Sequence, residues 1–153
     1  MSVIDTLITD RTQADVDALL ALLAAGTNPA ANHKGAYNAS DLNRVGAAVN
    51  YLAGRLEAVG ISVRAEARTD WTAADIPRQS DMEAYLGAAA GIRDKVRAYR
   101  PDARLPSSMA RLDYAGANAI EDLLEETELA VQRIMLSYRG YAGRQRSGVN
   151  CLP

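Results

Sequence analysis

The sequence is poor in the residues that most often carry chemistry. It has one histidine, His33, one cysteine, Cys151, a single tryptophan, Trp71, and no phenylalanine. A single cysteine excludes an intramolecular disulfide framework and a multi-cysteine zinc site. A single histidine leaves little for the commonest general base. Residue chemistry alone therefore indicates a helical domain without a catalytic set.

Long apolar runs are also missing. No stretch approaches the roughly 18 consecutive apolar residues that a membrane-spanning helix needs, and Met1–Asp10 carries acidic residues before any basic one. The sequence predicts neither a membrane span nor a secretion signal. Residues 139–153 hold three arginines and no acidic residue, on a chain of net charge −2. This is weak evidence for nucleic-acid binding, and a tail that docks on a neighbouring subunit explains it equally well.

The sequence is rich in alanine, with 29 residues, and in apolar residues at helical spacing. A first helix is predicted to begin at Thr12, which has capping-box spacing to Asp15, and to stop at Gly26. Its apolar stripe consists of Val16, Leu19, Leu20 and Leu23. Three later segments repeat apolar residues at alternating intervals of three and four, which is the spacing of a coiled-coil seam.

These three seams define the predicted fold. Their helices are expected to begin at Ser40, at a capping box of Ser80 and Glu83, and between Asp113 and Asn118. The seams are Leu42, Val45, Val49, Leu52, Leu56 and Val59; Met82, Tyr85, Ala89, Ile92, Val96 and Tyr99; and Ile120, Leu124, Thr127, Val131, Ile134 and Tyr138. The acidic residues expected on the solvent faces of the last helix are Glu121, Asp122, Glu125, Glu126 and Glu128. The sequence thus predicts an all-α antiparallel bundle of about four helices, with seams filled within one chain, between chains, or both.

The domain boundary is placed at the change in composition. Residues 1–138 are predicted to form the bundle, and residues 139–153 an arginine- and glycine-rich tail that is mobile or ordered by a partner. Residues 61–68 alternate apolar and polar side chains, as strands do. They form an extended connector, a continuation of helix, or an edge that pairs with another subunit, and the connector is the preferred interpretation.

A short helical turn is predicted after this segment. Thr72 and Asp75 have capping spacing, and the following proline excludes a long helix. The turn is expected to pack Trp71 and Ile76 onto the bundle. Asp70 is expected to form an ion pair with Arg44 of the second helix.

The sequence contains few reactive side chains, and each has a simple structural interpretation beside a functional one. His33 lies in a loop, where it is a solvated histidine or, in a remote alternative, the base of a small hydrolase or a metal ligand. Cys151, near the end of the chain, is interpreted as an incidental thiol. No phosphate-binding loop occurs and no cofactor is predicted. The seven tyrosines, such as Tyr37, suit interfaces, sugar-binding surfaces, or the wet ends of a core.

Four blocks of sequence carry a family resemblance. They are residues 7–16, residues 34–45, residues 69–77 followed by Met82, Tyr85 and Leu86, and Met109 with Leu112, Tyr114 and residues 117–121. In this order they resemble uncharacterised proteins encoded in the tail-structural regions of phages and prophages of Gram-positive, often gut-dwelling, bacteria. The resemblance implies a virion context, in the tail or tail fibre, and no catalytic activity.

The expected function is therefore that of a phage structural protein. It would be located in the virion, and its partners would be copies of itself and neighbouring virion proteins. The alternative is a module that binds host-surface carbohydrate through tyrosines and Trp71. Nucleic acid and membrane are not expected as partners. The candidate structural and interface residues are Tyr37, Leu42, Arg44, Val45, Val49, Leu52, Asp70, Trp71, Ile92, Val96, Ile134 and Tyr138.

Overall fold

The computed structural model describes residues 2–30, 33–98 and 103–147. The four α-helices in these ranges are α1 (Gln13–Ala24), α2 (Ala39–Ala58), α3 (Gln79–Val96) and α4 (Tyr114–Ser147), and single 3-10 turns lie at Ile4–Thr6 and Met109–Arg111. No strand occurs among the described residues. The predicted all-α helical bundle is confirmed, since α2, α3 and α4 pack against one another. Helix α4 continues past the predicted domain boundary at residue 138, and residues 148–153 of the predicted tail lie outside the described ranges.

Helices α1 and α2 begin at reciprocal capping boxes. The predicted box of α1 is confirmed: Asp15 accepts a hydrogen bond from the Thr12 backbone at 2.8 Å, and Thr12 accepts from the Asp15 backbone. The cap of α2 is Asn38, so the prediction of Ser40 was wrong by two residues. Asn38 was favoured because Asp41 stands three residues later, where its carboxylate accepts from the Asn38 backbone at 2.9 Å.

Helices α3 and α4 also begin at acidic side chains. The predicted box of Ser80 and Glu83 does not form. Instead, Asp81 accepts a hydrogen bond from the backbone N–H of Arg78 at 2.9 Å, so α3 starts earlier than expected. Helix α4 begins inside the predicted interval, and Asp113 caps its first turn. Each helix start therefore pairs a carboxylate with free backbone N–H groups, which the helix dipole also favours.

The core is built from the three heptad seams of a single chain. The buried seam residues are Leu42, Val45, Val49, Leu52, Leu56, Tyr85, Ala89, Ile92, Val96, Ile120, Leu124, Thr127 and Val131. Towards the ends of the seams, Met82 and Ile134 are half-buried and Tyr138 is exposed. Tyr99 lies outside the described residues. The seams are thus filled within one chain as far as Val131.

Helices α2 and α4 run in the same direction, which corrects the predicted antiparallel arrangement. Near the start of α2, Arg44 hydrogen-bonds Glu121 near the start of α4 at 2.9 Å. Near the end of α2, Arg55 bonds Glu128, which is farther along α4, also at 2.9 Å. Antiparallel neighbours need only short loops, whereas parallel neighbours need a return segment as long as the helix itself. The chain supplies such returns before α3 and before α4.

The segment between α2 and α3 is an extended return, as the connector interpretation predicted. Asn50 exchanges two hydrogen bonds with the backbone of Ala67, both 2.8 Å, and Asn43 exchanges two with the backbone of Trp71, at 2.8 and 2.7 Å. The connector therefore runs antiparallel to α2. Its alternation of side chains has a simple cause: one set faces the helices and the other faces solvent. The inward set is Ile61, Val63, Ala65 and Ala67.

Glycines in both flanking helices let this connector lie close. A Cβ added at Gly46 of α2 would stand 2.5 Å from the carbonyl oxygen of Arg68, and one added at Gly91 of α3 would stand 3.4 Å from that of Arg64. Arg64 lies only a few residues after the C-terminal end of α2. Gly91, which lies beside Arg64, is close to the C-terminal end of α3. The C-terminal ends of the two helices therefore lie together, and α3 also runs parallel to α2.

The turn after the connector forms only in part as predicted. Asp75 accepts hydrogen bonds from the backbone and the hydroxyl of Thr72, at 2.7 and 2.8 Å, so the predicted turn is present. Trp71 is buried against the bundle as expected. Ile76 is exposed, so the prediction that it packs on the bundle was wrong.

Candidate functional site

The most polar part of the interior is a cluster of two arginines and two carboxylates, here called the ionic cluster: Arg11, Asp41, Arg44 and Glu121. Arg11 bonds Asp41 at 3.0 Å and Glu121 at 2.7 Å. Arg44 bonds both carboxylates as well. The side chains of Arg11 and Glu121 are 2% and 0% exposed, and only that of Arg44, at 13%, keeps some contact with solvent.

The charges of the ionic cluster explain why Arg11 is inside. Asp41 on α2 and Glu121 on α4 present two like charges to one interior space, and burial of unpaired charge is costly. Arg11 and Arg44 together balance them. Burial by itself lowers the pKa of Arg44, but hydrogen bonds and charge contacts with Glu121 and Asp41 outweigh burial and raise that pKa. Arg44 is thus held in its charged form.

The segment before α1 is bound along α4 by Glu121 and Asn118. The backbone N–H of Ile8 donates to Glu121 at 2.6 Å, and the backbone N–H of Arg11 donates to Asn118 at 3.1 Å. Asn118 donates in return to the carbonyl of Arg11 at 2.9 Å. Later residues of the segment meet earlier residues of α4, so the segment runs antiparallel to α4. It repeats the arrangement of the connector on α2.

A second, partly buried pair joins α2 and α4 one heptad later. Arg55 donates to Glu128 at 2.9 and 3.3 Å. Glu121 and Glu128 were predicted on the solvent faces of α4, and both are buried. They occupy the same heptad position beside the seam, seven residues apart, where charged residues commonly pair between helices. That repeat was the available signal for their burial.

Two tyrosines extend the polar interior towards α3. The hydroxyls of Tyr37 and Tyr85 lie 2.6 Å apart, and the guanidinium of Arg11 stands over the ring of Tyr37 at 5.5 Å. Burial is the main cause that raises the pKa of both tyrosines. Both hydroxyls therefore stay neutral and act as hydrogen-bonding groups. Tyr37, one of the predicted structural and interface candidates, belongs to this network.

An open groove of about 1010 Å³ lies beside the two tyrosines, between α3 and the turn before α4. Its lining mixes apolar with polar and charged side chains. It includes Arg78, Met82, Glu83, Leu86, Ser108 and Met109. No residue of the ionic cluster lines this groove.

The ion pair predicted between Arg44 and Asp70 does not form. Arg44 is engaged in the ionic cluster, whereas Asp70 pairs with Arg68, only two residues away. The Arg68 guanidinium also lies 4.1 Å from the ring centre of Trp71. Trp71 thus packs on the bundle, as predicted. Because its ring is covered, no face of the ring is open for a sugar to stack on.

His33 lies in the loop before α2, half-buried. Its Nδ1 accepts a hydrogen bond from the backbone N–H of Gly35 at 3.1 Å. A Cβ at Gly35 would overlap the carbonyl oxygen of Asp15, at 2.1 Å, so this loop holds the first turns of α1 tightly. The described residues contain no group of three or more His, Cys, Asp or Glu side chains able to hold a metal ion. Cys151 lies outside the described ranges.

The remaining structural and interface candidates fall into two groups. Those buried in the chain's own core, and therefore closed to any partner in this fold, are Leu42, Val45, Val49, Leu52, Ile92 and Val96. Ile134 is half-buried, and Tyr138 is exposed. The other large apolar side chains that are exposed are Ile76, Leu20 and Leu23 of α1, and Leu129 and Leu136 of α4.

Comparison with known proteins gives no relative: no family model, no curated protein and no solved structure matches this chain. No helix among the described residues is long and apolar enough to cross a membrane.

Proposed function

We propose that this chain is a structural subunit of a phage particle, in or next to the tail, which acts through helix-mediated assembly and not through catalysis. The observation that carries the proposal is the distribution of polar and apolar groups. The charged side chains of the ionic cluster pair with one another inside the chain, whereas leucines of α1 and α4 are exposed to solvent. Exposed apolar residues grouped on helices are typical of surfaces that bind other proteins.

The sequence blocks that resemble phage tail-region proteins support the proposal. They contain the residues that join the parts of this fold. Arg11 lies in the first block, Asp41 and Arg44 in the second, Trp71 in the third and Glu121 in the last. A group of proteins sharing these blocks would share the ionic cluster and the docked connector, and hence this bundle.

The proposal is tested by locating the chain. Particles are purified by density gradient from an induced lysate of the strain that carries this sequence, and the chain is quantified by mass spectrometry across the gradient. We expect it to sediment with tails at a fixed ratio to other tail proteins. A cytoplasmic host enzyme is the control that should stay at the top. A chain confined to the soluble fraction would contradict the proposal.

The groove favours a second candidate, a module that binds host-surface carbohydrate. Its side chains Arg78, Glu83 and Ser108 could hydrogen-bond sugar hydroxyls, and Met82 could contact an apolar sugar face. A glycan array tests this with the wild type and with Glu83→Ala and Arg78→Ala variants. Binding that both variants reduce supports it, and an array without a bound glycan rules it out.

A further inference from the structure

Helix α1 presents an apolar, acidic surface that its own chain does not cover. None of its residues is buried, and the exposed fractions of Leu20 and Leu23 are 57% and 52%. The helix contains Asp15 and Asp17 and no basic residue. Asp15 is used in the capping box, whereas Asp17 has no cationic partner among the described residues.

Helix α4 presents a surface of complementary character. Leu129, Arg133 and Leu136 follow one another at intervals of four and three, which places them on one face of the helix. Leu136 is 65% exposed, and Arg133 forms no ion pair within the described ranges. No acidic residue follows Glu128 in the sequence, so this end of α4 carries positive charge only.

The two surfaces also match in length. The stripe from Leu129 to Leu136 spans seven residues of α4, about 10 Å, and the stretch from Asp17 to Leu23 spans six residues of α1, about 9 Å.

The chain's own α1 cannot reach Leu136, the far end of the stripe on α4. The N-terminus of α1 is held at Asn118 by the backbone contacts of Arg11. Leu23 lies about 16 Å from that point along α1, whereas Leu136 lies about 27 Å from it along α4. A second copy of the chain brings the two surfaces together without this restriction.

We propose that α1 of one copy packs on the Leu129–Leu136 stripe of another copy, with Asp17 facing Arg133 of that copy. The contact joins two different surfaces, so it is either exchanged reciprocally in a dimer or repeated into a larger assembly. This inference deepens the proposed function, on which it rests, by naming the partner and both surfaces.

The test is a charge-reversal cycle measured by analytical ultracentrifugation at micromolar protein concentrations. The variants are Asp17→Arg and Arg133→Asp, alone, combined in one chain, and as a mixture of the two single variants. We expect the wild type to associate and each single reversal to weaken association at least about fivefold, since an exposed pair contributes up to about 1 kcal/mol and reversal adds repulsion. The doubly reversed chain should recover, and the mixture should associate better than either variant alone.

Two further variants keep the test decisive. Leu20→Glu should abolish association while circular dichroism stays that of the wild type, and Arg64→Glu, an exposed reversal on the connector, should change nothing. A monomeric wild type, or association unaffected by both reversals and by Leu20→Glu, overturns the contact. A chain that sediments with tails but fails this cycle keeps the proposed function and loses this contact. A chain that completes the cycle but is absent from particles keeps the contact and loses the phage assignment.

Discussion

Arg11 and Glu121 stand 110 positions apart in the sequence, and in the folded chain Arg11 donates a 2.7 Å hydrogen bond to Glu121 inside the protein. This contact makes the segment before α1 a part of the core. It also supplies a counter-charge that α2 and α4 need in order to pack, because Asp41 lies on the other side of the same guanidinium at 3.0 Å.

The first prediction concerns this arginine. Arg11→Ala removes one of the two cations of the ionic cluster and leaves two buried carboxylates with Arg44 alone. We expect a loss of about 3–5 kcal/mol in the free energy of unfolding, as for other broken buried ion pairs. Chemical denaturation followed by circular dichroism measures it.

The control for Arg11→Ala is Lys34→Ala. Lys34 forms a pair with Asp10 that is open to solvent, at 2.6 Å. Because solvent screens exposed pairs, we expect the unfolding midpoint to remain that of the wild type. Equal effects of the two substitutions would show that the cluster is not a structural element of the core.

The second prediction compares two glycines of α2. A Cβ at Gly46 would meet the carbonyl oxygen of Arg68 at 2.5 Å, whereas nothing lies within 4 Å of a Cβ at Gly54. Gly46→Ala should destabilise the protein by about 1–3 kcal/mol by displacing the connector. Gly54→Ala should stabilise it by up to about 1 kcal/mol through helix propensity. Thermal unfolding of both variants checks the opposite signs, and equal signs would contradict the close approach of the connector.

The third prediction uses Trp71 as the only tryptophan of the chain. Asn43→Ala removes both hydrogen bonds that fix the Trp71 backbone on α2. We expect a loss of about 1–3 kcal/mol and a red shift of the tryptophan emission, with helical circular dichroism retained. Ser62→Ala, at an exposed position of the same connector, should leave the emission unchanged.

The fourth prediction concerns alkaline pH. Burial raises the pKa of Tyr37 and Tyr85, so the folded chain keeps both protons at a pH where the unfolded chain releases them. Stability from this source is complete below about pH 10 and falls as pH rises further, by up to about 1.4 kcal/mol per pH unit and per tyrosine. Tyr85→Phe should reduce that slope, as unfolding at a series of pH values measures. Ionisation of all tyrosines before unfolding, seen by tyrosinate absorbance, would contradict it.

Much of the local structure could be predicted because it depends on residues close in sequence. The capping box of Thr12 and Asp15 and the seams of three helices follow from spacings of three and four residues. The alternation of residues 61–68 was also informative, since an extended segment lying on helices needs one apolar side. The cap of α2 was misplaced because Asn38 and Ser40 are both good caps, and only the position of Asp41 decides between them.

The ionic cluster could not be predicted by the same means. Its four residues come from three distant stretches, and no local spacing brings Arg11 to Glu121. The direction of the helices was wrong for a related reason. Heptad seams suit parallel and antiparallel neighbours alike, and only the contacts of the return segments decide between them. The expected Arg44–Asp70 pair failed because Arg68 is nearer to Asp70 and Glu121 is nearer to Arg44.

The parallel course of α2, α3 and α4 has an electrostatic consequence. In an antiparallel bundle the dipoles of neighbouring helices cancel, whereas here they add. The bundle is therefore a polar object, with its positive pole where Asp41, Asp81 and Asp113 begin the helices. Helix α4 continues beyond the opposite, negative end, and the only charged residues in its later sequence are arginines. The acidic caps and these arginines therefore oppose the summed helix dipole and reduce it at both ends of the bundle.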